Sequence, residues 1–418
     1  MTYVELLAQL FPARRFGVVL GLERMRAILD RLGHPERQLG AIVHVGGTNG
    51  KGSTVAMIAA LAAAPGQQRQ RVATYTSPHL SCLRERIMID GAMISEPAIV
   101  AAAERVRDAG GGELTFFEQL TAIAMVAIAG AQVDVTVLEV GLGGRLDATN
   151  VVDPAVAVVT GVALDHEAVL GPTLGQIAAE KAGIWKPGRP AIIGASGLAD
   201  AVPALVAAAH IAGAYPAVID DLAIAAVPPV GLPGGHQRRN AAAAIAAIRA
   251  LGLPVVAAAL ATVRHPGRFE VIEPPATPIG VPRVILDGAH NPHGAAALAD
   301  ALRERGERPV LVVAVSADKD VPAIAAALAP AVRAVIATRY QQDRAMDPAQ
   351  LAVVFGGTAA PDLRTALAAA SAIAVAHGAP ILIAGSLFLV GEARTLLLGA
   401  PTDPMLVTDP PARGSLDR

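Results

Sequence analysis

The stretch AIVHVGGTNGKGST, residues 41–54, decides how this chain is read. A run suited to a buried strand enters a glycine-rich turn, and VAMIAALAAA, residues 55–64, continues as a helical pattern. Strand, glycine loop and helix in that order make a P-loop, whose backbone N–H groups close around phosphate oxygens at a helix N-terminus. Asn49, Gly50, Lys51, Gly52, Ser53 and Thr54 are the expected nucleotide-binding residues. Lys51 would reach the β and γ phosphates, and the hydroxyl of Ser53 or Thr54 would face Mg²⁺. The spacing departs from the strict Walker form: three residues separate Gly46 from Gly50, and Gly52 stands between Lys51 and Ser53. A plain glycine turn ahead of a helix is the alternative reading.

Outward from this loop, apolar runs at 72–76, 133–140, 155–162 and 191–194 alternate with helical patterns, the rhythm of a doubly wound α/β sheet. The segment EPPATPIGVP, residues 273–282, holds four prolines in ten residues, which disfavours helix and central strand alike. The expected fold is α/β throughout: a P-loop, doubly wound ATPase domain over 1–272, a Pro-rich linker over 273–282, and a smaller Rossmann-like domain over 283–418. Strands of the second domain are expected at 284–286, 310–315, 334–337 and 381–384.

A length of 418 residues allows two or three compact units, each with its own core. The single cysteine, Cys82, excludes an intrachain disulfide and fits a reducing compartment, with the cytoplasm as the default. With 34 basic against 36 acidic residues, the chain lacks the basic footprint of a nucleic-acid or anionic-membrane binder, so small molecules are the expected partners. A hydrophobic content of 53% raises the question of a membrane span. The longest uncharged stretch, 365–391, answers it: an Ala-rich helix over 365–376 is broken by His377, Gly378 and Pro380 before a short strand. The N-terminus, with Glu5, Arg14 and Arg15, lacks the apolar centre of a secretory signal.

Only four of the basic residues are lysines: Lys51, Lys181, Lys186 and Lys319. Arginine is the default cation, as base composition alone could produce, but guanidinium cannot replace a compact ammonium or a titratable amine where chemistry needs one, so these four lysines are the first to weigh.

The variant GTNGKGST, followed by YTSPHL at 75–80, resembles the Mur ligase superfamily and, within it, folylpolyglutamate synthases and dihydrofolate synthases. LEVGLGGRLDATN at 138–150, LDH at 164–166, EKAGIWKPG at 180–188, HQRRN at 236–240, PGR at 266–268, DGAHNPH at 287–293 and GSLFLVGE at 385–392 carry the likeness across most of the chain. About 45 residues precede the P-loop, which disfavours the peptidoglycan branch with its additional N-terminal domain.

The resemblance implies ATP-dependent amide formation, in which a substrate carboxylate becomes an acyl phosphate and glutamate's amino group captures it. Charge must be neutralised over the phosphates, and magnesium, a hard ion that prefers oxygen ligands, is the expected agent. By the same resemblance Ser77 and Glu139 supply a hydroxyl and a carboxylate to it. His166 joins them in the family pattern, although its spacing alone favours a hydrogen-bonded loop histidine, since an imidazole is an unusual magnesium ligand. Lys181 of the EKAGI motif is carbamylated in relatives, which would turn a cation into a ligand for a second Mg²⁺; the alternative is an unmodified lysine paired with phosphate or Glu180.

Asn240 and Arg268 from the first domain, and Asp287 beyond the linker, are implied to touch the nucleotide. Asp287, His290 and Ser386 are implied to lie near the incoming glutamate, with a turn cap as the alternative for His290. Thr115, Phe116, Phe117 and Glu118, with Leu146, Asp147 and Ala148, are implied to form the pterin site, although the phenylalanines read equally as core. Lys186 and Lys319 read as surface charge, Cys82 as a small filler, and His79 and Arg84 carry no assigned role.

The expected protein is thus a monomeric, cytoplasmic ligase using ATP, Mg²⁺, L-glutamate and reduced folates, with dihydropteroate as a further acceptor. Its two domains are expected to close on nucleotide about the linker. The alternatives are a related amino-acid ligase with another acceptor, or a P-loop nucleotide sensor that forms no amide bond.

Overall fold

The computed structural model describes residues 1–16, 21–65, 70–274 and 282–404. The chain folds into two compact units: Met1–Val230, Arg238–Val263 and Asp403–Arg418 form the first, Gly231–Gln237 and Arg264–Thr402 the second.

The first unit is built on an eight-stranded sheet. Its strands are β1 (Ala41–Gly46), β2 (Val72–Tyr75), β3 (Ile87–Ile89), β4 (Ala92–Met93), β5 (Val135–Glu139), β6 (Val156–Val159), β7 (Pro190–Ile193) and β8 (Tyr215–Val218). The order is β4-β3-β2-β5-β1-β6-β7-β8, parallel from β2 to β8, with β3 and β4 added antiparallel at one edge. Strands β1, β5 and β6 are almost wholly buried, because a parallel sheet covered on both faces calls for continuous apolar runs. One apolar layer packs around Leu6, Ile28, Ile99 and Ile123, and a second around Val159, Ile177, Trp185 and Leu205. The chain leaves β1 toward β2 on one side and reaches β6 on the other, so the carboxyl end of β1 is a topological switch point, where open α/β sheets place ligands.

Asp403 belongs to this unit although it follows the whole of the second. Its amide donates to Ser81 O at 2.9 Å, and its buried carboxylate accepts from Tyr3 Oη at 2.9 Å and from Leu83 N at 2.7 Å. Burial, then the Asp403 charge, pushes the Tyr3 phenol far above its usual range. Cys82 is free and buried beside them, as its reading as a small filler implied.

The second unit holds β9 (Glu270–Ile272), β10 (Val284–Asp287), β11 (Val310–Val313), β12 (Ala334–Ala337), β13 (Thr358–Ala359) and β14 (Ile381–Ala384). Their order is β13-β12-β11-β14-β10-β9, all parallel except β9, which runs antiparallel to β10. This pairing corrects the expected boundary. Glu270–Ile272 is an edge strand of the second sheet, so the Pro-rich stretch connects two paired strands of one unit, and the change of unit falls between Val263 and Arg264. Most of 273–282, residues 275–281, lies outside the described residues. Arg268 accordingly belongs to the second unit, not the first.

The helix Leu363–His377 ends where Gly378 takes the left-handed conformation at φ 59, and β14 follows, as the breakers in that stretch implied. Among the described residues no helix is long and apolar enough to cross a membrane.

Candidate active site

Gly46 closes β1, and the helix Lys51–Ala62 begins directly after Gly50, which sits at φ 81. The extra Gly52 therefore lies inside the helix, which keeps Lys51, Ser53 and Thr54 together on its first turn. Two glycines are required by their neighbours. A Cβ on Gly47, at φ 137, would stand 1.9 Å from Thr160 Oγ1, and one on Gly50 would stand 2.3 Å from Asn240 Oδ1. The loop is braced from the end of β6: Thr160 Oγ1 donates to Asn49 O at 2.6 Å, Thr48 N to Gly161 O at 2.9 Å, and Ala163 N to Thr48 Oγ1 at 3.1 Å. Asn240 is itself held, its Oδ1 accepting from Ser196 Oγ at 2.7 Å.

Two lysines converge on this loop. Lys51 Nζ donates to Gly47 O at 3.2 Å and to Thr48 O at 3.3 Å, and Lys181 Nζ donates to the same Gly47 O at 3.2 Å. Lys181 is 4% exposed; burial first, then the Lys51 charge, lowers its pKa to about 7, against the pull of Asp165, Asp147 and Glu180. Glu180 does not neutralise it at contact, because its carboxylate takes both Nε and Nη2 of Arg145, at 3.0 and 2.7 Å. The amine is therefore partly unprotonated near neutral pH, the form in which it reacts as a nucleophile.

Glu139 ends β5 in register with Val45 of β1, one residue short of the glycine turn. It is 5% exposed and accepts from Ser77 N at 3.2 Å, so carboxylate and serine meet beside the P-loop. His166 stands on the loop after β6 at φ 55 with its side chain 37% exposed. Among the described residues no three or more His, Cys, Asp or Glu side chains gather as a metal site. A cation here would rest on one carboxylate, hydroxyls, water and phosphate oxygens, which is how Mg²⁺ is held where it serves phosphates. Among the described residues the buried Thr54 Oγ1 has no hydrogen-bond partner, and an oxygen left unsatisfied on the first turn after a glycine cradle fits a phosphate-and-cation site.

The expected pterin residues divide. Thr115 caps the helix Phe116–Ala131 and forms a reciprocal capping box with Glu118, while Arg24 donates to Glu118 at 2.9 and 3.2 Å. These two side chains thus have structural work that the motif alone does not reveal. Phe116 is fully buried with the Arg86 guanidinium 5.5 Å from its ring centre, so it is core and offers no stacking face. Phe117 differs: its ring lies against Gly141, where a Cβ would come within 2.4 Å, and 6.2 Å from that of Tyr75. Asp147 is 4% exposed and accepts from Leu142 N at 2.9 Å and Thr149 N at 3.0 Å, tying the Gly141–Thr149 loop together. Lys186, expected on the surface, is half-buried and donates to Asn150 Oδ1 at 2.9 Å.

In the second unit, Asp287 ends β10 and accepts from Phe269 N at 2.8 Å and Ala289 N at 2.9 Å; burial raises its pKa, while Arg268 opposes that. His290 Nδ1 lies 2.7 Å from Gly288 O, which puts its proton on Nδ1 and makes it a turn-fixing group. Ser386 caps the helix Leu387–Leu398 by accepting from Phe388 N at 3.1 Å. Tyr340 Oη meets Ser316 Oγ at 2.6 Å, a pair no motif announced.

Residues 267–387 match the glutamate ligase domain of Mur ligases. The chain is 35% identical to a dihydrofolate synthase/folylpolyglutamate synthase of Mycobacterium tuberculosis, over 94% of this chain and 92% of that protein. It belongs to the folylpolyglutamate synthase/dihydrofolate synthase family. A family structure from E. coli, FolC in complex with DHPP and ADP, aligns with a TM-score of 0.82 at 32% identity, over 95% of this chain and 97% of that one. Another, the Yersinia pestis folylpolyglutamate synthase/dihydrofolate synthase complexed with AMPPNP and Mn ion, aligns at 0.79 and 32%, over 91% and 94%. The chain is also 36% identical, over its whole length, to a probable bifunctional folylpolyglutamate synthase/dihydropteroate synthase of Haloferax volcanii, and spans about half of that relative, 53%.

Proposed function

We propose that the chain is an ATP- and Mg²⁺-dependent ligase that joins L-glutamate to the carboxylate of dihydropteroate or a reduced folate. The observation that carries this is the convergence of Lys51 and Lys181 on Gly47 O, in a glycine loop against which Thr160 and Asn240 pack too closely for any side chain. Lys51 brings to this corner the positive charge that phosphoryl transfer between anions needs, and the Lys181 amine, partly uncharged near neutral pH, stands against the same oxygen. On this reading Lys51 exchanges its carbonyl bonds for β and γ phosphate oxygens. The acceptor carboxylate attacks the γ phosphorus, the bond to the bridging oxygen breaks, and ADP leaves. The amine of glutamate then attacks the acyl carbon and expels phosphate.

Ser77 and Glu139 would hold Mg²⁺, with His166 as a further ligand, and the ion would supply positive charge to the phosphate oxygens. Lys181, made nucleophilic by burial and by Lys51, is suited to carbamylation and to a second ion. Phe117 and the loop Leu146–Ala148 would face the pterin, in keeping with the DHPP complex of the E. coli relative. Arg268, Asp287, His290 and Ser386 are assigned to the nucleotide and the incoming glutamate. A monomer in the cytoplasm, with domain closure on nucleotide, completes the reading.

The deciding experiment is ADP release with dihydropteroate or a reduced folate as sole acceptor, each with glutamate, alongside hydroxylamine trapping of the acyl phosphate. Hydroxamate formation with either acceptor supports the ligase. Nucleotide binding with no hydroxamate and no acceptor-dependent ADP would make the chain a nucleotide sensor. Turnover only with unrelated carboxylates would make it a ligase of another acceptor.

A further inference from the structure

Strand β1 carries one polar side chain into its apolar layer, His44. The residue is fully buried between Val43 and Val45, and its Nε2 lies 2.8 Å from Thr149 Oγ1. Thr149 Oγ1 in turn donates to Asp147 Oδ1. The proton count fixes the direction of this chain. Burial raises the Asp147 pKa, but the carboxylate accepts from Leu142 N, Thr149 N and the Thr149 hydroxyl, which draw it back down, and an oxygen pair that only accepts is the pattern of an ionised carboxylate. The hydroxyl has one proton and gives it to Asp147, so it must receive one from His44. The imidazole is therefore the Nε2–H tautomer. Burial, with the Lys186 charge, holds its pKa down to about 3, so the ring is neutral.

The other nitrogen, Nδ1, is then a buried lone pair with no hydrogen-bond partner among the described residues. An unsatisfied acceptor in an apolar layer disfavours folding, and a leucine would fill the same place without it. Stability does not account for the histidine; what it holds does. Asp147 ties down the Gly141–Thr149 loop, and that loop packs on the helix end carrying Lys181. Arg145 N donates to Glu180 O at 2.8 Å, and a Cβ on Gly144 would come within 2.8 Å of Glu180 O and 2.9 Å of Lys181 O.

We infer that His44 is a positioning residue which, acting through Thr149, sets the Asp147 carboxylate and with it the acceptor side of the ligase site. The inference rests on the ligase reading above. His44 touches no reacting atom: it donates to Thr149, which passes the constraint to Asp147.

The test compares His44→Leu, which removes both ring nitrogens, with His44→Gln, whose amide can still donate to Thr149. His44→Leu is expected to melt at or above the parent temperature and to raise the KM for dihydropteroate about tenfold, the scale of one lost hydrogen bond in a charged network, with the KM for ATP within about twofold of the parent. His44→Gln should recover most of the loss, and Thr149→Val should reproduce it. An unchanged acceptor KM in His44→Leu, or an equal rise in both KM values with a lower melting temperature, overturns the inference. Nitrogen-15 spectra of the histidines give a reading independent of turnover. The Nε2–H signature of His44, perturbed by Thr149→Val, supports the chain of bonds, and an Nδ1–H signature overturns it. A parent that fails to ligate glutamate to any pteroate defeats the ligase reading and leaves the bond chain to be judged by those spectra.

Discussion

Lys51 and Lys181, 130 positions apart in sequence, donate to one and the same oxygen, Gly47 O, each at 3.2 Å. Burial disfavours the Lys181 charge first, and the Lys51 charge at the same carbonyl adds to it, so Lys181 gives up its proton more readily.

A stability measurement against pH follows from that response. The unfolded chain keeps the lysine proton to the ordinary value of 10.5, the folded chain only to about 7, so between these values the unfolded state binds more protons and stability climbs as pH rises. Below about pH 7 the burden of the buried charge is complete. Lys181→Met is expected to raise the unfolding free energy by about 2–4 kcal/mol at acidic to neutral pH. In urea titrations the gain should fade toward pH 10, and a gain that grows with pH would contradict the assignment.

For catalysis the same residue predicts the opposite sign. If Lys181 is carbamylated as proposed, Lys181→Ala should lower the ligase rate by about a hundredfold or more, and short carboxylic acids should restore part of it by standing in for the carbamate. Equal rates in variant and parent would remove the carbamate from the mechanism.

The phosphate loop makes a steric prediction. Gly50→Ala places a methyl group 2.3 Å from Asn240 Oδ1 at a φ of 81, so nucleotide affinity should fall at least about tenfold in calorimetry. Asn240→Gly in the same chain should return only part of it, because the backbone conformation remains unfavourable. Full recovery would show that crowding alone was responsible.

Glu118 separates a structural from a ligand-binding role. It is 3% exposed and bonded to Arg24 and Thr115, so Glu118→Ala should cost about 2–4 kcal/mol of stability, and Thr115→Ala about 1 kcal/mol. Chemical denaturation measures both. Unaltered stability with lost acceptor binding would restore these residues to the pterin site.

Much of this architecture was legible because its signals are local. The strands at the centres of both sheets are continuous apolar runs, Gly50 and Lys51 announce themselves by spacing along the chain, and Glu139 is marked by the family motif at the end of its strand. What escaped was set by pairing across distance. Glu270–Ile272 is too short to read as a strand until β10 supplies its partner, and this misplaced the boundary ahead of the second sheet by nine residues. Thr115 and Glu118 matched a family motif and a capping box at once, and only the buried contact with Arg24 tells the jobs apart. His44 gave no signal at all, since one histidine in an apolar run means nothing until Thr149 is seen beside it.

Asp403 closes a different kind of gap. Asp403→Ala would leave the Tyr3 hydroxyl and the Leu83 amide without their acceptor and should cost about 2–3 kcal/mol in thermal or urea unfolding. A loss below about 0.5 kcal/mol would mean that water replaces the carboxylate freely.

The position of this anchor also orders events at the ribosome. Tyr3 leaves the exit tunnel before any strand of either sheet, yet its acceptor follows only after every strand of the second sheet has emerged. The N-terminal half of the nascent chain must therefore wait, with its first helix incompletely tethered, and a translational pause ahead of residue 403 would prolong the interval in which a chaperone or protease can reach it.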